Sequence, residues 1–152
     1  MQVLGLKPIT RAKKVALYAA TRNEVLTDFL FEELKKKRRQ VFFPRLQHDE
    51  MEFVEVKDLS TLRSGKWGIL EPPALQSISF GEIDVAVIPG IGFDEAGFRI
   101  GFGKGYYDKA LHQFSGVTLG LAYDFQVLEK IAHEPWDIRC HYVVTECRII
   151  EV

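Results

Sequence analysis

The sequence predicts an open α/β fold, a mainly parallel sheet with helices on both faces. Short, continuous apolar runs recur along the chain, and each is typical of a strand that is buried on both sides. These runs are residues 15–20, 41–43, 85–88 and 117–122. Segments with a helical spacing of apolar residues separate several of the runs, and strands that alternate with helices favour parallel pairing.

The first half of the chain continues this alternation after the strand at 15–20. Apolar residues then recur about every four residues and predict one face of an amphipathic helix, with Thr27 as a candidate N-cap. These residues are Leu26, Phe29, Leu30 and Leu34. Residues 41–43 form the next strand and end before Pro44. Residues 51–56 alternate apolar and acidic side chains, which suits an exposed or edge strand, and residues 67–73 are expected to form a loop.

The second half contains the clearest strand, residues 84–89, which ends at a Pro-Gly pair. Residues 91–105 hold several glycines without a regular period, so they predict a long loop, which in a compact domain is usually functional or disordered. A helix is expected after this loop, and Asp124 is expected to cap a second, short helix. The apolar positions are Tyr107, Ala110, Leu111 and Phe114 in the first, and Phe125, Leu128 and Ile131 in the second. Residues 142–145 and 148–150 predict two closing strands.

The bulk composition is that of an ordinary globular protein and predicts one domain over residues 1–152. Apolar residues make up 47% of the chain and charged residues 27%, and the formal net charge is −1. A chain of this length can form a core without disulfides or a structural metal. Its charge gives no general attraction to nucleic acid or to acidic membranes. We expect neither as a partner, and we expect a monomer or a weak homodimer.

A cytoplasmic location is the simplest interpretation of the sequence. No apolar run approaches the length that crosses a bilayer, and residues 1–10 lack the basic and then apolar pattern of a signal peptide. Cys140 and Cys147 do not form a zinc-binding pattern and are interpreted as reduced thiols.

The strongest local signal for chemistry is a glycine pattern ahead of the predicted helix. Gly101, Gly103 and Gly105 alternate, and Lys104 lies between the last two. Glycine N–H groups at the start of a helix can approach a phosphate closely, and Lys104 would add a positive charge. The pattern is neither a Walker A loop nor a dinucleotide fingerprint. From these residues alone, a glycine-rich turn that only connects two elements remains the more common explanation.

Three carboxylates are further candidates, each with a structural alternative. Asp108 would complement the dipole of its helix or bind Mg²⁺ beside phosphates. Asp137 would serve as a turn residue or cap, or as a second metal ligand. Glu24, after the first strand, would be an exposed loop residue or hydrogen-bond a pterin ring. Aromatic residues near the glycines could stack on a flat heterocycle. These are Trp67, Phe93, Phe98, Phe102, Tyr106 and Tyr107.

Two segments together resemble a known family signature. Residues 89–94 read Pro-Gly-Ile-Gly-Phe-Asp, and residues 97–108 read Gly-Phe-Arg-Ile-Gly-Phe-Gly-Lys-Gly-Tyr-Tyr-Asp. They closely resemble the signature of the 5-formyltetrahydrofolate cyclo-ligase family, also called methenyltetrahydrofolate synthetases. Supporting similarities are residues 15–18, 23–25, 67–69, 71–72, 120–123, 126, 136–137 and 143–146.

The resemblance implies a fold related to the ribose-5-phosphate isomerase and CoA-transferase group, and an ATP- and Mg²⁺-dependent ligase. Its substrate would be 5-formyltetrahydrofolate, with or without a polyglutamate tail, and its product 5,10-methenyltetrahydrofolate. By the same resemblance, Lys104, Arg99 and Tyr106 are the catalytic candidates. The ATP site would comprise Arg99, Gly101, Gly103, Lys104, Gly105 and Tyr106. Ala19, Glu24, Trp67 and Tyr107 would bind the folate, and Asp108 and Asp137 would bind Mg²⁺.

One departure from the family pattern gives an alternative. Family members begin with a helix rich in Lys and Arg that helps bind ATP, whereas residues 1–11 are too short to replace it and contain Gly5 and Pro8. A catalytically weakened relative that binds nucleotide or folate is therefore a second hypothesis. The retained glycine pattern with Arg99 and Asp137 favours the enzyme.

Overall fold

The structure, a computed structural model, describes residues 2–73, 75–103 and 105–152 and consists of a large sheet with helices on both faces. Its α-helices are α1 (Lys7–Arg11), α2 (Asp28–Lys36) and α3 (Tyr106–Leu111). The strands of the large sheet are β1 (Lys14–Ala16), β2 (Gln40–Gln47), β3 (Glu50–Glu55), β6 (Ser77–Ile78), β7 (Val85–Ile88), β10 (Val117–Leu121), β12 (Tyr142–Val144) and β13 (Ile149–Glu151). Smaller sheets use β4 (Arg63–Ser64), β5 (Leu70–Glu71), β8 (Gly92–Asp94), β9 (Arg99–Ile100) and β11 (Val127–Leu128).

The centre of the large sheet is parallel, as the sequence predicts. Its strand order is β13-β12-β10-β7-β1-β2-β3-β6. The five strands from β12 to β2 pair in parallel, and β13, β3 and β6 pair antiparallel at the two sides. The carboxyl ends of the central strands therefore meet at one edge of the sheet, where ligand sites of such folds lie.

Side chains that alternate along the central strands fill a core on each face, because successive strand residues point to opposite sides. Val15, Val85 and Leu119 pack on one face with Leu30, Phe31 and Leu34 of α2. Ala16, Ala86 and Ile88 pack on the other face, where Leu111 of α3 and Phe93 of β8 cover them. The predicted fold class, with helices on both faces, is confirmed.

Phe93 fixes the small sheet of β11, β8 and β9 against the large one. Its side chain is fully buried and lies against Gly90 and Gly120, both at carboxyl ends of central strands. A Cβ atom at Gly90 would come within 2.9 Å of the Phe93 ring, and one at Gly120 would overlap it. Absence of a side chain at these two positions allows the ring to pack on the sheet.

The face that α2 buries differs from the predicted one. Leu30 and Leu34 are buried, but Leu26 and Phe29 are 64% and 54% exposed, and Phe31 takes their place in the core. Thr27 occupies the N-cap position without capping the helix, because its hydroxyl donates to the carbonyl of Tyr18. Leu26 lies before the helix begins at Asp28, so helical spacing does not apply to it.

Strand β2 continues through Pro44, where the sequence predicted its end. Proline lacks an N–H group and is tolerated where a strand is unpaired on one side. Strand β1 pairs with β2 only over Gln40, Val41 and Phe42, so Pro44 lies beyond that ladder. Strand β3 has β6 as an outer neighbour at Phe53 and Val54, so the prediction of an edge strand is wrong there.

The described part of residues 91–105 is more regular than a long loop. Strands β8 and β9 pair antiparallel, and β11 pairs with β8. The buried carboxylate of Asp94 holds the turn between β8 and β9, since it accepts from the N–H groups of Ala96 and Phe98 at 3.0 Å. Its other oxygen accepts from the N–H of Ile131 at 2.9 Å. Asp94 therefore joins three separate points of the backbone.

The prediction of a helix after Asp124 is wrong. Helix α3, which follows the glycines, is shorter than predicted. Residues Asp124–Gln126 form a single 3₁₀ turn, and the chain then enters β11. The carboxylate of Asp124 binds Thr145 and Arg148 instead of capping a helix. Helix α3 ends at Leu111, so Phe114 lies outside it and stacks on Phe80. Within the described ranges, no helix has the length and apolar character needed to cross a membrane.

Candidate active site

A cavity of about 540 Å³ opens at the carboxyl ends of β1, β2 and β7. Every described residue that the sequence analysis assigned to ATP or folate lines it, as does Asp108. These are Ala19, Glu24, Trp67, Arg99, Gly101, Gly103, Gly105, Tyr106 and Tyr107. Asp137 is not among the lining residues, and Lys104 lies outside the described residues.

Arg99 is the most deeply buried cation of the cavity. Only 6% of its side chain is exposed. Its Nη1 donates to the carbonyl of Pro89 at 3.1 Å, and its Nη2 lies 3.5 Å from the carboxylate of Asp108. No described residue accepts a hydrogen bond from its Nε. A buried guanidinium with an unused donor and an exposed counter-ion is suited to an anionic ligand such as a phosphate.

The glycines around Arg99 are required for two different reasons. A Cβ atom at Gly101 would lie 3.0 Å from Nη1 of Arg99, so this glycine leaves space for the guanidinium. Gly103 and Gly105 have φ angles of +83° and +73°, which other residues rarely adopt. Gly105 is the N-cap of α3. Because α3 has only six residues, its dipole is a minor source of positive potential compared with Arg99.

Tyr107 lies beneath the guanidinium, whose carbon is 5.5 Å from the centre of the ring. Its hydroxyl is buried and has no partner among the described residues. Burial raises the pKa of Tyr107 well above its ordinary value, although the charge of Arg99 opposes the change. The phenol therefore stays protonated and can donate a hydrogen bond to a ligand.

Glu24 is held in place by its own loop. Its Oε1 accepts from the N–H of Thr21 at 2.7 Å and from the Thr21 hydroxyl at 2.8 Å. Both of these hydrogen bonds use Oε1, so Oε2 is the oxygen that Glu24 would offer to a ligand. Nearby, the hydroxyl of Tyr18 donates to the carbonyl of Val25 at 2.7 Å. Burial, and then the charge of Glu24, raises the pKa of Tyr18.

The predicted aromatic group divides into two sets. Trp67, Phe102, Tyr106 and Tyr107 line the cavity, whereas Phe93 and Phe98 are buried in the core. Trp67 has a φ of 64° and is 58% exposed, so its indole lies at the rim. The ammonium of Lys66 lies 5.5 Å from the centre of that indole. An exposed, fixed ring at the rim offers a surface for stacking.

Comparison with known proteins places the chain in a family. The model of the 5-formyltetrahydrofolate cyclo-ligase family matches residues 1–146. The chain belongs to the 5-formyltetrahydrofolate cyclo-ligase family. Among relatives, it is 33% identical to the 5-formyltetrahydrofolate cyclo-ligase of Mycoplasma pneumoniae, over 95% of this chain and 79% of the relative. It is 30% identical to that of Escherichia coli K12, over 99% of this chain and 87% of the relative.

Two solved structures agree with this cyclo-ligase assignment. The NMR structure of the 5,10-methenyltetrahydrofolate synthetase of Aquifex aeolicus superposes with a TM-score of 0.87 at 35% identity, over 99% of this chain and 77% of that one. The synthetase of Mycoplasma pneumoniae superposes with a TM-score of 0.72 at 31% identity, over 93% of this chain and 78% of that one. The cyclo-ligase fold is therefore shared along almost the whole chain.

The two magnesium ligands expected of a cyclo-ligase lie in different surroundings. Asp108 lines the cavity and 56% of its side chain is exposed, which fits an ion that takes one or two protein carboxylates and fills its shell with phosphate and water. Asp137 accepts from the N–H of Glu134 at 2.8 Å, within its own turn. The described residues contain no cluster of three or more metal-ligating side chains. The roles of both residues remain predictions.

Sequence reasoning did not assign several cavity residues of the first half of the chain, although it predicted Ala19, Glu24 and Trp67 there. Glu71 lines the cavity and accepts from the N–H of Leu46 at 2.7 Å. Met51, Lys66 and Arg22 also line it. The family resemblance includes Glu71 and Pro72, but it does not assign Glu71 to the site. Met51, Lys66 and Arg22 carry no local signal, since they reach the cavity from three separate segments of the chain.

Proposed function

We propose that this chain catalyses the ATP-dependent cyclisation of 5-formyltetrahydrofolate to 5,10-methenyltetrahydrofolate. The observation that carries the proposal is the shared cavity, because the described residues assigned to nucleotide and those assigned to folate line the same space. Relatives with this name cover almost the whole chain. A ligase of this kind must hold both substrates in contact, so a single cavity is what the chemistry requires.

The proposed reaction has two stages. The formyl oxygen on N5 attacks the γ-phosphorus of ATP, the bond to the β-phosphate oxygen breaks, and ADP leaves. The formyl carbon, now bearing a phosphate, is attacked by N10, which loses its proton. The carbon–oxygen bond then breaks, and inorganic phosphate leaves with the bonding electrons. The product is the cyclic amidinium ion, and no oxidant or reductant is needed.

The protein's task in the first stage is to place charge around the transferred phosphoryl group. We assign this role to Arg99, whose buried guanidinium faces the cavity, with Tyr106 and the N–H groups of Gly101, Gly103 and Gly105. The role of Lys104 rests on the family resemblance, since Lys104 lies outside the described residues. Asp108, which lines the cavity, would hold Mg²⁺, and the ion would neutralise phosphate charge. The role of Asp137 rests on the family resemblance alone.

The folate would occupy the opposite side of the cavity. Glu24 would offer its Oε2 to the N–H groups of a pterin, and Trp67 offers a ring for stacking. Apolar side chains of Leu46, Met51 and Ile69 line the same cavity, which suits the aromatic linker of a folate. The neutral hydroxyl of Tyr107 and the methyl group of Ala19 complete this side.

The test is formation of the methenyl product from 5-formyltetrahydrofolate, followed by its absorbance with and without ATP and Mg²⁺. We expect ATP-dependent product, and we expect Lys104→Ala to abolish it while the melting temperature hardly changes. Binding of folate without any product would contradict the enzyme and support the alternative of a binding module. A large loss of stability in Lys104→Ala would indicate a structural role for the glycine segment.

Arg99 provides a second variant with a matched control. Arg99→Lys keeps the charge but loses the planar group with several donors, so we expect the KM for ATP to rise about tenfold, which corresponds to ~1.4 kcal/mol. Arg45→Lys changes an arginine that pairs with Glu52 away from the cavity lining and should leave kinetics unchanged. Equal effects in both variants would contradict the role of Arg99.

We further propose that residues 1–152 act as one catalytic domain in the cytoplasm. The large sheet takes strands from both ends of the chain, from Lys14 to Glu151. Neither Cys140 nor Cys147 forms a disulfide, which agrees with a reducing compartment.

A further inference from the structure

The turn between β2 and β3 has an unusual backbone. His48 and Asp49 form a two-residue hairpin loop, since Gln47 pairs with Glu50. Both have positive φ angles, 51° and 61°, as in a type I′ turn, for which glycine and asparagine are preferred. A left-handed conformation costs other residues about 1 kcal/mol each. The turn gives Asp49 a defined direction towards the rim of the cavity.

One carboxylate oxygen of Asp49 contacts both sides of that rim. Its Oδ1 lies 3.4 Å from Nζ of Lys66 and 3.5 Å from the hydroxyl of Tyr106. Lys66 precedes Trp67 and lines the folate side of the proposed site, and Tyr106 begins α3 on the ATP side. Asp49 itself is not a lining residue. Asp49 therefore contacts one lining residue from each side of the cavity without lining it.

Both contacts are long and exposed. The usual distance is about 2.7 Å for an O–H···O hydrogen bond and about 2.8 Å for one from an ammonium to a carboxylate, so each contact can shorten when a ligand draws the rim together. The side chain of Asp49 is 80% exposed, and exposed pairs contribute little to the stability of a fold. The hydrogen bond to Asp49 nevertheless raises the pKa of Lys66, so the ammonium stays charged. Contacts of this kind can be made and lost within a catalytic cycle.

We propose that Asp49 is a positioning residue that couples the binding of the two substrates, by holding Lys66 and Tyr106 at the same time. The inference rests on the proposed function. When ATP orders Tyr106, Asp49 is drawn towards α3 and brings Lys66 with Trp67 over the folate. Because binding free energies are linked reciprocally, the folate must strengthen ATP binding by the same factor.

The test measures the dissociation constant of the β,γ-imido analogue of ATP by calorimetry, with Mg²⁺, in the absence and presence of 5-formyltetrahydrofolate. We expect the folate to tighten binding about fivefold in the unmodified chain, the lower end of usual coupling, and less than twofold in Asp49→Gly, which removes the shared acceptor. Glycine adopts positive φ readily, so the turn and the melting temperature should be unchanged. Tyr106→Phe should lose the same coupling, and the double variant should lose no more.

Glu50→Gln is the matched control. Glu50 is the next residue, and its carboxylate lies 3.7 Å from Nζ of Lys109, on α3 but outside the cavity lining. We expect the fivefold coupling to persist in this variant. Coupling that is unchanged in Asp49→Gly, in a chain that turns over its substrates, overturns this inference and leaves the proposed function intact. A chain that shows neither turnover nor coupling overturns both.

Discussion

At the scale of single residues, the site depends on the space and the partners that surround a few polar groups. Arg99 was identified from the sequence only through the family resemblance, and the structure adds the reason for its position. Its guanidinium is held by the carbonyl of Pro89 and lies over Tyr107. Burial and unused donors are properties of the folded chain, so no local pattern could have shown them.

Gly101 gives a prediction about this space. Gly101→Ala should displace the guanidinium of Arg99, since the added Cβ would lie 3.0 Å from Nη1. We expect the KM for ATP to rise about tenfold with little change in the melting temperature. In Gly81→Ala the new Cβ would meet only Ser79 Oγ at 3.6 Å, an ordinary contact, and kinetics should be unchanged. Loss of activity in both variants would contradict the role assigned to Gly101.

The two thiols should differ in reactivity. Burial raises the pKa of Cys140 to about 12, so its thiolate, the reactive form, is absent at neutral pH, whereas Cys147 is exposed. A thiol reagent at pH 8 should therefore modify one cysteine in the folded chain and both in denaturant. Because the folded pKa exceeds the unfolded one of about 8.5, Cys140 favours folding below pH 8.5, and this contribution is lost as pH rises towards 12. Rapid modification of both thiols in the folded chain would contradict this account.

At the scale of elements, the sequence predicts best where the core alone decides the structure. Strand β7 was predicted almost to the residue, because all four of its side chains are buried. The prediction of a helix after Asp124 is wrong because tertiary contacts there outweigh the local helical spacing. Val127 pairs with Phe93 in β11, and the side chain of Gln126 turns back to the N–H of Tyr123 at 2.8 Å. Helical spacing cannot reveal a strand that forms only against a distant partner.

Asp94 tests how the small sheet is held. Asp94→Ala would remove the acceptor of three backbone N–H groups, two of them in the buried residues Phe98 and Ile131. We expect unfolding free energy to fall by about 2–4 kcal/mol, measured by denaturant titration with an unchanged slope. Asp58→Ala, which frees only the exposed N–H of Ser60, should cost much less. Equal losses of unfolding free energy in the two variants would contradict the role of Asp94 in holding the small sheet.

At the scale of the whole molecule, the order of strands and the cavity are the features that the sequence could not supply. The lining comes from segments between Tyr18 and Asp108. The sequence identified the members near the glycine pattern, together with Ala19, Glu24 and Trp67, through the family resemblance. It did not assign Met51 or Glu71 to the site, although the resemblance includes Glu71. The positions of both depend on how β3 and β5 lie beside β2. The family resemblance thus identified part of the site, and the remaining lining residues became known only from the strand order of the folded chain.

Ligand binding should stabilise the entire fold. A ligand at a hundred times its dissociation constant adds ~2.7 kcal/mol of stability, which corresponds to a rise of about 5–10 °C in Tm for a domain of this size. We expect such a rise with 5-formyltetrahydrofolate and with ATP and Mg²⁺, measured by thermal unfolding. GTP at the same concentration is a control for nonspecific anion effects. An absence of any shift with both substrates would contradict the proposed site.

The packing of the Phe93 ring against Gly90 and Gly120 limits which residues can occupy these three positions. A side chain at position 120 would occupy the volume of the Phe93 ring, so substitution there is tolerable only if position 93 becomes smaller in the same molecule. In related sequences these positions should vary as a pair. Because β9 pairs with β8 at Phe93↔Arg99, such an exchange would also shift the guanidinium. Catalysis would then change through positions that do not themselves line the cavity.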